Sequence, residues 1–129
     1  MLEDTIKKYL KRKIKHFDDS QDEKDEAINY FRRTRIHWLY LLNVLNAYYE
    51  KKIITKSDLI HKIQISHITI LKYINESIKR KIIFEVRSKK DKRKVCLIPS
   101  EELINSFENF FYNETRSLKE LFDERQEDY

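Results

Sequence analysis

The chain has no glycine at all, and one proline, in 129 residues. Without glycine there can be no phosphate-cradling loop of the GxxxxGK[ST] or GxGxxG type, so nucleotide chemistry of the P-loop or Rossmann kind is excluded. A single cysteine, Cys96, excludes a disulfide framework and any multi-cysteine zinc site. Long hydrophobic runs are also missing: nothing approaches about 18 consecutive apolar residues, and the opening MLEDTIKKYLKRK has no apolar segment of the signal-peptide kind. These absences lead to the expectation of a soluble, unprocessed, cytoplasmic protein with no membrane partner. The four histidines form neither HExxH nor HxxxH. His61 and His67 fall on different predicted elements, and His16 and His37 stand alone, so neither a metal nor a cofactor is expected. With no GxSxG elbow and no identifiable nucleophile, the sequence does not read as an enzyme.

What the chain does have is charge, and it is unevenly placed. Charged residues make up 38% against 40% hydrophobic, enough for one modest core under a strongly charged surface. The formal net charge is +5, but residues 51–98 alone carry 14 Lys/Arg against 4 Asp/Glu. Residues 1–50 are nearly balanced, and residues 99–129 are acidic. A basic middle between a neutral head and an acidic tail suits a polyanion-binding segment held by a scaffold that does not touch the polyanion. A Lys-rich solvated surface is the competing reading, and the order of elements has to decide between them.

Along residues 2–17, Leu2, Ile6, Leu10, Ile14 and Phe17 recur three or four apart, a narrow apolar stripe on a helix. DDSQDEKDE (18–26) is a linker or the start of the next helix, with Ser20 or Asp22 as N-cap. From about Asp25 to Lys51 the spacing predicts the core helix, with one step of five, between Phe31 and Ile36. Thr55 followed three residues later by Asp58 resembles a capping box and starts a helix from Lys56 to about Ile63. After a break at Gln64-Ile65, Ser66 is placed as the N-cap of a helix to about Arg80, completing a helix-turn-helix. IIFEVRS, the charged turn KKDKRK and VCLI read as a β-hairpin. Pro99 ends it and suits the first turn of a last helix over 100–125. The predicted fold is mainly α with a small β-hairpin wing.

With these elements in order, the segment from about Arg35 to Glu102 resembles the winged-helix regulators of the MarR type, including their glycine-poor SarA-like branch. The match is carried by ITKSDLIHKI, by ISHITILKYI for the recognition helix, and above all by RSKKDKRKVCLIPSEEL, where Asp91-Lys92-Arg93 fits the family's Asp-x-Arg wing tip. Two positions depart from it. Lys81 stands where the family usually has a left-handed glycine, and Ser77 where a core leucine is expected, so that Ile74 or Ile78 would take over its packing.

The resemblance implies a dimeric, sequence-specific regulator that binds double-stranded DNA, working on the nucleoid. Residues 25–99 would form the DNA-binding lobe, and residues 1–24 and 100–129 the flanking dimerisation helices of a single 1–129 domain. The recognition helix, about 66–80, would enter the major groove, and the wing, about 83–98, would reach the minor groove or backbone. Lys56, Ser57, Lys72, Lys89, Lys90 and Lys94 are placed at phosphates, with Thr69 near the backbone, and Ser66 and Lys92 belong to the same DNA-binding set. His67, Ile68, Leu71 and Asn75 are placed at base edges, Asn75 toward adenine; a helix phase shifted by one would instead bury Ile68 and Leu71. Arg93 and Arg87 suit a narrow minor groove, with Asp91 orienting Arg93. Phe107, Phe110, Phe111, Leu118, Leu121 and Phe122 form a second apolar stripe, either packed within the chain or pairing with Leu2–Phe17 in a homodimer interface. The resemblance further implies small aromatic ligands near Tyr30, Trp38 and Tyr40, which equally read as core aromatics, and the sequence names no effector. An architectural DNA coat or a protein-interaction wing is the alternative function. Cys96 reads as a small strand residue.

Overall fold

The computed structural model describes residues 1–21 and 26–127, with side-chain surroundings for residues 1–15 and 27–123. The described residues form α1 (Leu2–Gln21), α2 (Glu26–Phe31), α3 (Arg35–Tyr49), α4 (Lys56–Lys62), α5 (His67–Lys79), β1 (Ile83–Arg87), β2 (Val95–Pro99) and α6 (Glu101–Glu127). They group into two compact units, one of residues 27–106 and one of residues 1–26 with 107–129. No helix among the described residues is long and apolar enough to cross a membrane.

In the central unit, the single helix expected over 25–51 is two. The break falls at the five-residue step: Thr34 is extended (φ −142°, ψ 166°), and its hydroxyl accepts the His37 amide at 3.2 Å, so α3 gets its own N-cap. Phe31, Tyr40, Leu41 and Val44 are completely covered. The capping box is present in full, with the Asp58 amide donating to Thr55 Oγ1 (3.1 Å) and the Thr55 amide to Asp58 Oδ2 (2.9 Å). Ser66 stands at the N-cap of α5, but its hydroxyl makes no capping bond, so the sequence signal there fixed the position without the interaction. Ile70 and Ile74 of α5 are buried, as are Leu59 and Ile63 from the α4 side. Each such side chain contributes about 1.5–3 kcal/mol.

Both long helices of this unit end in a left-handed lysine, Lys51 (φ 59°) and Lys81 (φ 61°). In each case the pair of bonds is a Schellman closure: Lys81 donates to the Ile78 carbonyl and Ile82 to that of Ser77, while Lys51 donates to Tyr48 and Lys52 to Ala47. Lysine replaces glycine at these turns at a cost of about 1 kcal/mol each. The buried Ser77 is matched by a partner. Its hydroxyl lies 2.8 Å from Tyr40 Oη and 2.6 Å from the Ile74 carbonyl, so the hydroxyl is satisfied where a leucine was expected. Burial holds the Tyr40 phenol well above its ordinary pKa.

Strands β1 and β2 pair antiparallel from Ile83↔Pro99 to Arg87↔Val95. Pro99 is therefore the last strand residue and not part of the first helical turn. Ser100 opens α6 instead, its hydroxyl accepting the Leu103 amide at 3.0 Å. The Leu97 amide donates to the Ile54 carbonyl (2.8 Å), which ties the hairpin to the segment leading into α4.

In the other unit, α1 runs on to Gln21, so residues 18–21 are helical rather than a linker; the Asp22 cap lies outside the described residues. Arg12 donates to the Ser117 carbonyl (3.4 Å) and pairs with Glu120 (3.6 Å), and Lys13 pairs with Glu114. Leu121 is buried in the single chain, unlike most of the α6 stripe. Leu2, Ile6, Leu10 and Ile14 remain exposed, as do Phe111, Leu118 and Phe122, while Phe107 and Phe110 are half-buried. The Phe17 side chain lies outside the described residues.

Candidate nucleic-acid interface

Helix α5 is amphipathic, and its two faces have opposite roles. The inner face is clamped by α2 and α3. The Tyr30 hydroxyl reaches the Tyr73 carbonyl at 2.8 Å and Glu76 Oε2 at 3.1 Å, and the His37 ring stacks on Tyr73 with centroids 3.7 Å apart. Guanidinium groups of Arg33 and Arg80 lie over the Tyr30 ring at 5.1 and 5.0 Å. Burial, with the Glu76 bond, raises the Tyr30 phenol pKa, whereas burial and then Arg33 lower that of His37. Tyr30 and Tyr40 are thus core and clamp residues, already engaged rather than lining a ligand site.

The outer face carries Ser66, His67, Ile68, Lys72 and Asn75, all exposed, with Thr69 and Leu71 half-buried. Ile68 is 81% exposed, so the helix phase is the one read from the sequence. On α4, Ser57 is exposed and Lys56 half-buried. Lys56 is not a free cation: it pairs with Glu85 at 2.6 Å and donates to Asn75 Oδ1 at 3.5 Å. Three elements, α4, α5 and β1, meet at this one ammonium. Glu85 was missed in the sequence, because nothing local to β1 signals a partner 29 positions earlier.

The wing turn is built by its own side chains. Ser88 is buried, and its hydroxyl faces the Lys90 and Asp91 amides at 3.3 Å each. Asp91 Oδ1 accepts the Arg93 amide at 3.0 Å, so it orients the backbone at Arg93 rather than the guanidinium. Arg87 donates to the Lys92 carbonyl at 2.7 Å, bracing the turn from within. Lys89, Lys90, Lys92, Arg93 and Lys94 are exposed and unpaired among the described residues. A cleft of about 640 Å³ has Lys56, Ser57, Glu85, Arg93 and Lys94 among its lining, which brings the start of α4 and the wing together.

With this geometry in place, solved structures supply the comparison. The chain is similar to the S. aureus MepR–DNA complex over 93% of its length and 88% of that chain, at 19% identity and a TM-score of 0.60. A MepR variant bound to an oligodeoxyribonucleotide matches with 17% identity and a TM-score of 0.53, covering 87% of this chain and 80% of the other. Lactococcus lactis ZitR matches all of this chain and 85% of its own, at 16% identity and a TM-score of 0.55. The chain has the MarR-type winged-helix fold. No protein-family model and no curated protein matches the sequence itself. Within the MarR-type fold, α4 and α5 are the helix-turn-helix and β1–β2 the wing. Among the described residues no group of three or more His, Cys, Asp or Glu could hold a metal ion.

Proposed function

We propose that the protein is a non-enzymatic transcriptional regulator that binds double-stranded DNA as a homodimer, inside the cell. The observation that carries this reading is the pairing of an exposed α5 outer face with a wing whose five Lys and Arg side chains from Lys89 to Lys94 have no partner among the described residues. His67, Ile68, Leu71 and Asn75 would meet base edges in the major groove, and Ser57, Ser66, Thr69 and Lys72 the flanking backbone. Asn75 and Lys56 would act as a linked pair, Lys56 adding charge only as far as Glu85 releases it. Arg93 is the wing residue suited to a narrow minor groove, with Lys89, Lys90, Lys92 and Lys94 at phosphates. The DNA held by MepR in two of the similar structures supports the same use of this fold. The exposed stripes of α1 and α6 support a two-fold assembly in which two α5 helices read a pseudo-palindrome. In this organisation residues 25–99 are the DNA-binding lobe and residues 1–24 and 100–129 the dimerisation helices.

Fluorescence anisotropy with the protein's own upstream region and with random duplex, across salt, tests the proposal. A preference of about 10³ or more for one duplex is the expected result for a regulator, and equal affinities would leave an architectural coat. Changing Arg93 and Lys90 to alanine together should weaken both duplexes and flatten the salt slope by about 2. Unchanged affinity would remove the wing from the DNA.

A further inference from the structure

The basic segment from residue 51 to residue 98 holds four carboxylates, and three of them serve the backbone or the core. Asp58 closes the α4 capping box, Asp91 holds the Arg93 amide, and Glu76 accepts from the Tyr30 hydroxyl on the inner face of α5. Glu85 does none of these. Among the described residues its bond is to the Lys56 ammonium, at 2.6 Å. It stands in β1 opposite Leu97, on the hairpin face whose Ile83 and Leu97 are buried. Both members of the pair keep just over a third of their side-chain surface in water (36% and 37%), so the bond contributes little to stability. Its effect on a cationic surface is larger, because it cancels one charge and places a carboxylate in the cleft that also holds Arg93 and Lys94.

We infer that Glu85 is a specificity-determining residue of the proposed DNA interface, a positioning group that holds Lys56 on Asn75 and away from phosphates. The inference rests on the DNA-binding reading of α5 and the wing. Lys56 donates to Asn75 Oδ1 at 3.5 Å, so the ammonium that Glu85 retains bridges β1 to the exposed face of α5. With Oδ1 engaged, Asn75 offers its Nδ2 amine to an acceptor on a base edge. Binding to random duplex is almost entirely through phosphates. There the neutral Lys56–Glu85 pair releases no counterion, and the carboxylate repels the backbone. On a matched duplex the fixed amide meets an acceptor that random sequence does not supply in register. Glu85 thus weakens the wrong complex more than the right one, the repulsive half of specificity.

Fluorescence anisotropy across salt with Glu85→Gln in the full chain tests this, since the amide keeps the shape and removes the charge. Affinity for random duplex at about 0.15 M salt should rise about fivefold per protomer, with a salt slope steeper by about 0.9 per protomer. Affinity for the protein's own upstream region should not rise, so the ratio between the two duplexes should fall by at least about fivefold. Combining Lys56→Gln with Glu85→Gln restores neutrality. The random-duplex slope should then return to that of the wild type while the lost preference stays lost, which a merely structural role for Glu85 would not produce. Without DNA, the side-chain amide signals of Asn75 in an NMR spectrum should move in Glu85→Gln while the backbone signals of α6 stay in place. An unchanged slope and ratio, or an unmoved Asn75 signal, would overturn the assignment and leave the DNA-binding reading standing. A wild type that binds neither duplex, or both equally, would remove the regulator reading and this assignment with it.

Discussion

The two units spend their apolar residues in different ways. The central unit closes a core, with Phe31, Tyr40, Leu41, Leu59, Ile70, Ile74 and Ile83 completely covered, while Ile68 on the outer face of α5 and Phe84 and Val86 on the hairpin stay exposed. The unit of α1 and the later part of α6 leaves its apolar stripe in water, with Ile14 at 63% and Phe111 at 58% exposed, and holds itself together with Arg12 and Lys13 bonds at the surface. Exposed ion pairs contribute at most about 1 kcal/mol each. One unit thus has a closed apolar core, while the other keeps an exposed apolar stripe, the surface that the proposed homodimer would use.

A pair of substitutions breaks or sharpens that contrast. Leu59→Ala should cost about 2–5 kcal/mol in urea unfolding, because it opens a cavity in a closed core. Leu10→Asp with Ile14→Asp should leave the unfolding of the central unit nearly unchanged but weaken self-association by about 100-fold in sedimentation equilibrium. If the charged variant sediments like the wild type, the α1 stripe is ordinary exposed surface.

Legibility in the sequence follows the same division between local and distant causes. The Thr55–Asp58 box and the hairpin were readable because each depends on residues within a few positions of itself, whereas the left-handed turn at Lys81 was implied only by the family resemblance. The break between α2 and α3 was also written in the sequence, as the five-residue step from Phe31 to Ile36, but a spacing pattern tolerates one irregular step, and only the Thr34 cap shows that the chain turns there. The fate of Lys56 was not readable, since Glu85 and Asn75 come to it from two other elements. Nor was the role of Ser77, whose burial makes sense only with Tyr40, 37 positions earlier. At the candidate interface, exposure of the α5 outer face followed from periodicity, whereas which cations are free and which are occupied depended on packing between elements.

The second test concerns the two left-handed lysines, where composition and geometry disagree. Lys81→Gly should stabilise the protein by about 1 kcal/mol, less whatever the extra freedom of glycine in the unfolded chain takes back. The gain should appear in the urea midpoint without a change in slope. The same substitution at Leu59's neighbour Ile60, in the middle of α4, should instead destabilise, since only a positive φ rewards glycine. A loss of stability at Lys81 would mean that its side chain contributes more than its backbone costs.

The smallest expected effect belongs to the clamp on the inner face of α5. His37 is buried, faces Arg33 and Glu76, and stacks on Tyr73, and burial followed by Arg33 lowers its pKa below 6.5. Its Nε2 has no hydrogen-bond partner among the described residues, so a proton added there finds no acceptor. Between the folded and unfolded pKa values the unfolded chain binds the proton more readily, so stability rises with pH across that interval. The His37 contribution is therefore complete above about pH 6.5 and is lost as the pH falls through the depressed value. Thermal unfolding of the wild type should drop between pH 7.5 and 5.5 more steeply than that of His37→Gln, which cannot take up the proton; parallel slopes would show that the ring is not what titrates. Tyr73 lies on the helix that presents Ile68 and Asn75 on its other side. A matching acid-side slope in DNA affinity, absent from His37→Gln, would then trace one proton from the buried clamp to the exposed reading face.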